Sequence, residues 1–321
     1  MTAAPARARP FAQVDVFTAT PYLGNPLAVV LDGTGLSAEA MQAFANWTNL
    51  SETTFLLPPS PEAAAQGADY RVRIFTPGDE LPFAGHPTLG SCHAWLEAGG
   101  VPQAAGTIVQ ECAKGLVKLK RDGTRLAFAA PSLQRSTPDA ALIARVAAAL
   151  GLQAEQILAA QWLNNGPTWL GLLLDSMDTV LGLQPDAAAL KDLVPGVGVA
   201  GMETAPAAPD LIVRSNREAR AFIHPDGARD AGASPADDDT PSVEVRFFAP
   251  DIGVLEDPVT GSFNASLAQW LIADGVAPAR YVAAQGTCLG RAGRVWIEQD
   301  ATGQVWVGGN SVTCMEGKVT L

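Results

Sequence analysis

Basic residues, histidines and long apolar runs are all scarce in this chain, and each scarcity removes a class of function. Lys and Arg together number 21 against 33 Asp and Glu, a formal charge of −12, and only five of the 21 are lysines. That balance offers no basic stripe to neutralise a phosphate backbone, so nucleic acid is excluded as a partner. No apolar run approaches the ~18 residues that span a bilayer, and the opening MTAAPARARP holds no secretory apolar core. The expectation is a cytoplasmic protein with no membrane partner. Cys92, Cys112, Cys288 and Cys314 form no CxxC or paired metal spacing in a chain with three histidines. They read as reduced, mostly buried thiols, and no metal site is expected.

What is plentiful is apolar surface. At 48% hydrophobic, 321 residues can fill one or two cores. AQVDVF and PLAVVL read as strands, and SAEAMQAFANWTNL as an amphipathic helix opened by Ser37. ETTFLL and YRVRIFT follow as strands, then a helix from Pro87 to about Ala98, then TIVQEC and a hairpin over Asp122-Gly123. The Pro-rich PSLQRSTPDA suggests a boundary near residue 131.

The second half repeats the first. Arg73-Ile74-Phe75-Thr76-Pro77 is answered by Arg246-Phe247-Phe248-Ala249-Pro250, and His86-Pro87-Thr88-Leu89-Gly90-Ser91 by Asp257-Pro258-Val259-Thr260-Gly261-Ser262. Trp95 to Val101 is answered by Trp270 to Val276, and Gln110 with Gly115-Leu116-Val117 by Gln285 with Gly293-Arg294-Val295. Matches in constant order mark duplication. The expected fold is α+β, two pseudo-symmetric lobes in which strands, central helix and closing hairpin recur. The first lobe would take 1–130 plus the C-terminal strand 309–321, and the second 131–308. The acidic, Gly/Pro-rich stretch 224–242 is expected to be a mobile surface insertion.

In each half, x-Pro-x-x-Gly-Ser stands before an apolar helical stretch. Proline suits a first helical turn, and Gly-Ser lets backbone amides approach a ligand. Either motif alone reads as an ordinary helix start, with Asp257 capping its own helix. Two helix N-termini facing one cleft, Gly90-Ser91 from one side and Gly261-Ser262 from the other, would instead suit a small carboxylate. Glu52, at the start of an apolar strand, is either a solvated loop acid or, if buried, a group of raised pKa able to take and return a proton near neutrality. His86 and Asp257 hold equivalent repeat positions and would approach each other across the cleft. His93 falls within a helix and His224 in the acidic stretch, which leaves His86 as the candidate histidine.

Five blocks resemble one known family: Gly24-Asn25-Pro26-Leu27-Ala28-Val29-Val30, Ser51-Glu52-Thr53-Thr54-Phe55, Gly85-His86-Pro87-Thr88-Leu89-Gly90, Glu256-Asp257-Pro258-Val259-Thr260-Gly261-Ser262, and Gln285-Gly286 with Gly290-Arg291. They resemble the PhzF-like (phenazine biosynthesis-like) isomerases, of the diaminopimelate-epimerase fold, in which each lobe is a β-sheet wrapped around a central helix. The resemblance implies a homodimer without metal or organic cofactor that moves a proton between carbons of a small carboxylic acid. It assigns the acid/base to Glu52, places His86 and Asp257 in the same pocket, and puts Asn25, Ser51, Gly85, Gly90, Ser91, Gly261 and Ser262 at the substrate. Related epimerases use one cysteine from each lobe near the two motif positions. Cys92 lies six residues beyond His86 and Phe263 to Leu267 hold none, so two-thiol racemisation is disfavoured.

Other readings are weaker. Gly196-Val197-Gly198-Val199-Ala200-Gly201 matches GxGxxG but lacks the strand before and helix after that a dinucleotide site needs. No lysine lies in either cleft motif to hold pyridoxal. The non-enzyme alternative is a small-molecule-binding or interaction protein that keeps the fold without turnover.

Overall fold

The computed structural model describes residues 6–203 and 240–321. Of the stretch expected as an insertion, only 240–242 fall within these, so His224 and the rest of it lie outside the described residues. The first half runs β1 (Ala8–Val16), β2 (Asn25–Val30), α1 (Ala38–Thr48), β3 (Glu52–Leu57), α2 (Pro61–Ala64), β4 (Tyr70–Phe75), β5 (Glu80–Leu81), α3 (Gly85–Glu97), β6 (Thr107–Cys112), β7 (Gly115–Asp122) and β8 (Arg125–Ala129). The second runs β9 (Gln134–Ser136), α4 (Ala140–Leu150), β10 (Ile157–Asn164), β11 (Thr168–Leu174), α5 (Met177–Gly182), α6 (Ala187–Leu190), β12 (Val197–Met202), β13 (Val243–Phe248), α7 (Gly261–Ala273), β14 (Arg280–Gln285), β15 (Gly293–Gln299), β16 (Val305–Gly309) and β17 (Ser311–Thr320).

Strand pairing repeats with the sequence. The first half goes β1–β2 antiparallel, β2–β3 parallel, β3–β4 antiparallel, β4–β6 parallel, then β6–β7 and β7–β8 antiparallel. The series β10–β11, β11–β12, β12–β13, β13–β14, β14–β15 and β15–β16 reproduces that alternation step by step. The halves also pair with each other, β17 with β1 and β16 with β8, while β9 adds to β10 within the second half. The result is the expected α+β fold, with every strand hydrogen-bonded into one 17-stranded system.

The two central helices explain why the sheets curl. α3 and α7 are thirteen residues each, and most of both is buried. Both bury polar residues along with apolar ones, Thr88 and Ser91 in α3 and Asn264 and Ser266 in α7, so the sheets must surround them. α3 packs on β1, β2, β3 and β8, and α7 on β10, β11, β15 and β16. Gly90 marks how close the wrapping is: a Cβ there would stand 2.6 Å from Leu27 Cδ2 and 2.8 Å from Val16 Cγ2. Leu89 and Cys92 of α3 share one buried cluster with Phe263 and Leu267 of α7, so the apolar core runs through both halves. Among the described residues, no helix is long and apolar enough to cross a membrane.

Candidate active site

Glu52 reaches its place through α1. Ser37 caps that helix, its Oγ accepting the Ala40 N–H at 3.2 Å, and Asn49 ends it in the left-handed region at φ 55°, a conformation Asn tolerates. The chain turns there, and Ser51-Glu52 opens β3. In the parallel β2–β3 pair Leu27 lies beside Glu52, so Asn25 and Glu52 sit at one end of the sheet. The His86 side chain, from the first turn of α3, meets them: Glu52 Oε2 is 3.4 Å from His86 Nδ1.

Asp257 comes from the other half. Its Oδ1 accepts from Asn25 Nδ2 at 3.0 Å and its Oδ2 from Thr260 Oγ1 at 2.6 Å, while the Ser51 hydroxyl also bonds to the carboxylate. Asn25 Nδ2 gives its second hydrogen to the Val259 carbonyl at 2.9 Å. Both amide hydrogens are thereby used, and the 3.5 Å approach of Nδ2 to His86 Nδ1 is proximity only. Asn25 thus ties the two halves together across the site. Four atoms of the described side chains here, Glu52 Oε2, His86 Nε2, Asn25 Oδ1 and Asn165 Oδ1, are buried without a hydrogen-bond partner. Native cores seldom tolerate such groups outside functional sites.

The helix starts meet face to face. A Cβ on Gly85 would lie 2.8 Å from the Gly261 carbonyl carbon, and one on Gly261 would lie 2.9 Å from the His86 nitrogen. Only glycine allows the two backbones this close. Neither α3 nor α7 has a side-chain cap on its N-terminal amides. Ser262 is the second residue of α7 and lies within the same region.

Two expectations need correction. The Pro-x-x-Gly-Ser patterns do not occupy matching places, because α3 begins at Gly85 rather than Pro87, which puts Gly90 and Ser91 in the middle of the helix. Gly90 faces β1 and β2, and Ser91 Oγ donates to Thr54 Oγ1 at 2.9 Å, so neither lies at a free helix start. The structural match is Gly85 with Gly261 and His86 with Ser262, which sets Asp257 level with Leu81 rather than His86. Proline misled the comparison because it is tolerated anywhere in a first turn, where its missing N–H has no partner to lose. Asp257 does not cap α7 either, since the N-cap is Thr260.

Residues to which the motifs assigned no role complete the site. Gln285 Oε1 accepts from Thr260 N at 2.9 Å and from Asn264 Nδ2 at 2.8 Å, and its Nε2 donates to the Asp257 carbonyl at 3.1 Å. Its counterpart Gln110 similarly donates to Thr88 Oγ1 at 3.1 Å, so the recurrence of this glutamine was the signal. Arg246 is buried and bonds both oxygens of Glu256, at 2.9 and 2.8 Å, which anchors the residue before Asp257.

Burial drives the charges apart. The Glu52 carboxyl is held well above the usual carboxylate range, first by desolvation and then by the Asp257 charge. Burial also pushes Asp257 up, but bonds from Thr260, Asn25 and Ser51 oppose it. His86 is pushed down to about 3 by burial, against a bond to the Pro26 carbonyl that favours its cation. Near neutrality His86 is therefore a neutral imidazole, beside a carboxyl whose pKa is raised by burial. All four cysteines are free thiols, two of them buried, and Cys92 is pushed up to about 12 by desolvation. Such a thiol supplies no thiolate for acid/base work. Among the described residues, no group of three acids, histidines or cysteines could hold a metal ion.

The family model "Phenazine biosynthesis-like protein" matches residues 14–317. The chain belongs to this family. It is 32% identical to the trans-2,3-dihydro-3-hydroxyanthranilate isomerase of Pseudomonas aeruginosa, over 96% of this chain and 98% of that one. It is 34% identical to "Antisense-enhancing sequence 1" of Schizosaccharomyces pombe, over 96% and 97%. Among solved structures, a Bacillus anthracis phenazine biosynthesis protein of the PhzF family superposes with TM-score 0.74 at 21% identity, covering 98% of this chain and 100% of that one. A hydroxyproline epimerase from Agrobacterium vitis shares the fold at TM-score 0.59 and 14% identity, covering 98% and 93%. Several of the relatives are named isomerases, among them the trans-2,3-dihydro-3-hydroxyanthranilate isomerases of Pseudomonas, and the isomerase class extends to this chain.

Proposed function

We propose that this member is a cofactor-independent isomerase that shifts a proton between carbons of a small carboxylic acid, with Glu52 as the single proton carrier. The observation that carries the reading is the contrast between two neighbouring buried carboxyls. Asp257 accepts three side-chain hydrogen bonds and is held as an orienting acceptor, whereas Glu52 accepts none and sits beside a neutral His86. An unpinned carboxyl of raised pKa can exist in both protonation states near neutrality, which is what a shuttle needs.

The substrate carboxylate would dock against the N-terminal amides of α3 and α7, near Gly85, Gly261 and Ser262, where backbone N–H groups and helix dipoles favour negative charge. Ionised Glu52 then takes a proton from a C–H bond. The electron pair left behind delocalises toward the carboxylate, and protonated Glu52 returns the proton to a neighbouring carbon on the same face. His86, Asp257, Asn25 and Ser51 orient the substrate. The reading further takes the lobes as 1–130 with 309–321 and 131–308, and the active protein as a cytoplasmic homodimer.

The first compound to test is trans-2,3-dihydro-3-hydroxyanthranilate, which the Pseudomonas relative's name specifies. Incubated with the protein in deuterium oxide, a substrate acid gains deuterium at carbon, and Glu52→Gln abolishes the gain. Turnover by Glu52→Gln within a few-fold of wild type, with Asp257→Asn inactive, would make Asp257 the base. Binding of such acids with no exchange would favour the non-catalytic binding reading.

A further inference from the structure

The glycine-rich run at 196–201 has a structural role that leads back to the site. A Cβ on Gly198 would lie 2.2 Å from Phe263 Cζ, and one on Gly196 would lie 2.7 Å from Phe247 Cζ and 2.9 Å from Trp169 Cε3. The missing Cβ atoms make a seat for three rings. Trp169 meets Phe247 edge-on at 5.0 Å, and Phe247 meets Phe263 at 5.5 Å. Phe263 directly follows Ser262 in the first turn of α7.

From that seat the polar edge of Trp169 reaches Ser262. Its Nε1 donates to Ser262 Oγ at 3.2 Å, and Asn165, on the turn between β10 and β11, donates from Nδ2 to the Ser262 carbonyl at 2.9 Å. Asn165 is buried, 1% exposed, so its geometry is locked by surrounding packing. An indole N–H can only donate. Ser262 Oγ must therefore be the acceptor in this bond, and its own hydrogen is directed away from the indole, available to an acceptor. A serine hydroxyl left to itself would rotate between donor and acceptor roles; this one is held as a donor.

We propose that Trp169, seated by Gly196 and Gly198 and assisted by Asn165, is a positioning residue that makes Ser262 a hydrogen-bond donor to the anionic group of the substrate. The inference rests on the reading of Ser262 as a substrate contact. It also gives the β10–β11 hairpin a role in recognition that no motif there announces.

The test is a double-mutant cycle on inorganic sulfate binding, measured by calorimetry for wild type, Trp169→Phe, Ser262→Ala and the double variant. A hydrogen bond to a charged group is typically worth enough that Ser262→Ala should weaken sulfate about 10-fold or more. Trp169→Phe should weaken it about 3- to 10-fold, the scale of a neutral hydrogen bond. The double variant should bind within about twofold of Ser262→Ala, because the indole acts only through the hydroxyl. Full additivity would overturn the inference while leaving Ser262 as a contact. Unchanged binding by Ser262→Ala, or no binding by wild type, would instead remove the anion reading on which it rests. Should Trp169→Phe fail to fold, β-(3-benzothienyl)alanine placed at position 169, which keeps the indole's shape but lacks its N–H, runs through the same cycle with the same outcomes.

Discussion

The two halves share one frame but carry different chemistry at matching places. Arg73 pairs with Phe55 across β3–β4, and Arg246 with Val199 across β12–β13. Counting back three residues from each partner sets Gly196 where the first half has Glu52. Five residues before each helix start stand Glu80 and Glu256; Leu81 then corresponds to Asp257, Ala84 to Thr260, and His86 to Ser262. The first half thus supplies an unpinned carboxyl and the imidazole, the second a pinned carboxylate and a hydroxyl. The frame is repeated, but only its first half places an unpinned acid at the site. A same-face proton shift needs one such acid, whereas inversion at a single carbon needs two opposed ones.

The largest expected effect breaks that asymmetry. Glu52→Gln keeps shape but cannot carry a proton, and should lower kcat by about 10²- to 10⁴-fold with folding intact, as general acid/base groups do. His86→Asn and Ser262→Ala, which leave the carrier in place, should cost less in kcat, as steady-state assays would show.

The arginine pairs sharpen the comparison next. Arg246 and Glu256 have side chains only 5% and 12% exposed, against 21% and 36% for Arg73 and Glu80. Glu256→Gln leaves a buried guanidinium without its counter-charge and should destabilise by about 3–5 kcal/mol. Glu80→Gln should cost about 1 kcal/mol or less, since water screens that pair. Urea unfolding of the two variants gives the ratio directly.

A smaller effect lies in pH. His86 holds its proton far less tightly folded, at about 3, than the ordinary imidazole at 6.5. The unfolded chain takes up the proton first, so this contribution is present above about pH 6.5 and is lost as pH falls toward 3. Glu52 works in reverse: its folded pKa is raised, so its contribution is complete below its ordinary value of 4.5 and is lost as pH rises through the folded value. His86→Asn should flatten the acid limb of a Tm-against-pH curve by an amount on the order of a few kcal/mol, and Glu52→Gln should raise Tm on the alkaline side. If either limb keeps its slope in the matching variant, that group is not the one titrating. The least effect is expected from Ser91→Ala, which loses a hydrogen bond to Thr54 within the core and should lower stability by about 1 kcal/mol while leaving KM unchanged.

The same comparison shows why part of the site was legible and part was not. Glu52, Asn25 and Asp257 stand in short blocks whose residues must be close in sequence to do their work, and the structure brings all three together with His86. Ser37 as a cap and the strand periods were equally local signals. Gly90 and Ser91 went wrong because a Pro-x-x-Gly-Ser pattern describes two different objects, a loop before a helix in one half and a helix interior in the other. Trp169 and Asn165 gave little warning, since their partner Ser262 lies 93 and 97 residues away.

By itself the sequence determined the duplicated α+β frame, since strand period, helix caps and a repeated motif order act over a few residues and need no knowledge of neighbours. It also marked Glu52 as the candidate acid, through the resemblance of its Ser51-Glu52-Thr53-Thr54-Phe55 block to the family. Only the tertiary structure decided the register of the repeat, because Gly85 and Gly261 are matched by the contact of two helix backbones and not by flanking residues. Only it decided the charges as well. The raised Glu52 carboxyl and the neutral His86 arise from desolvation by residues of both halves, and burial is a property of the packed molecule, not of any segment.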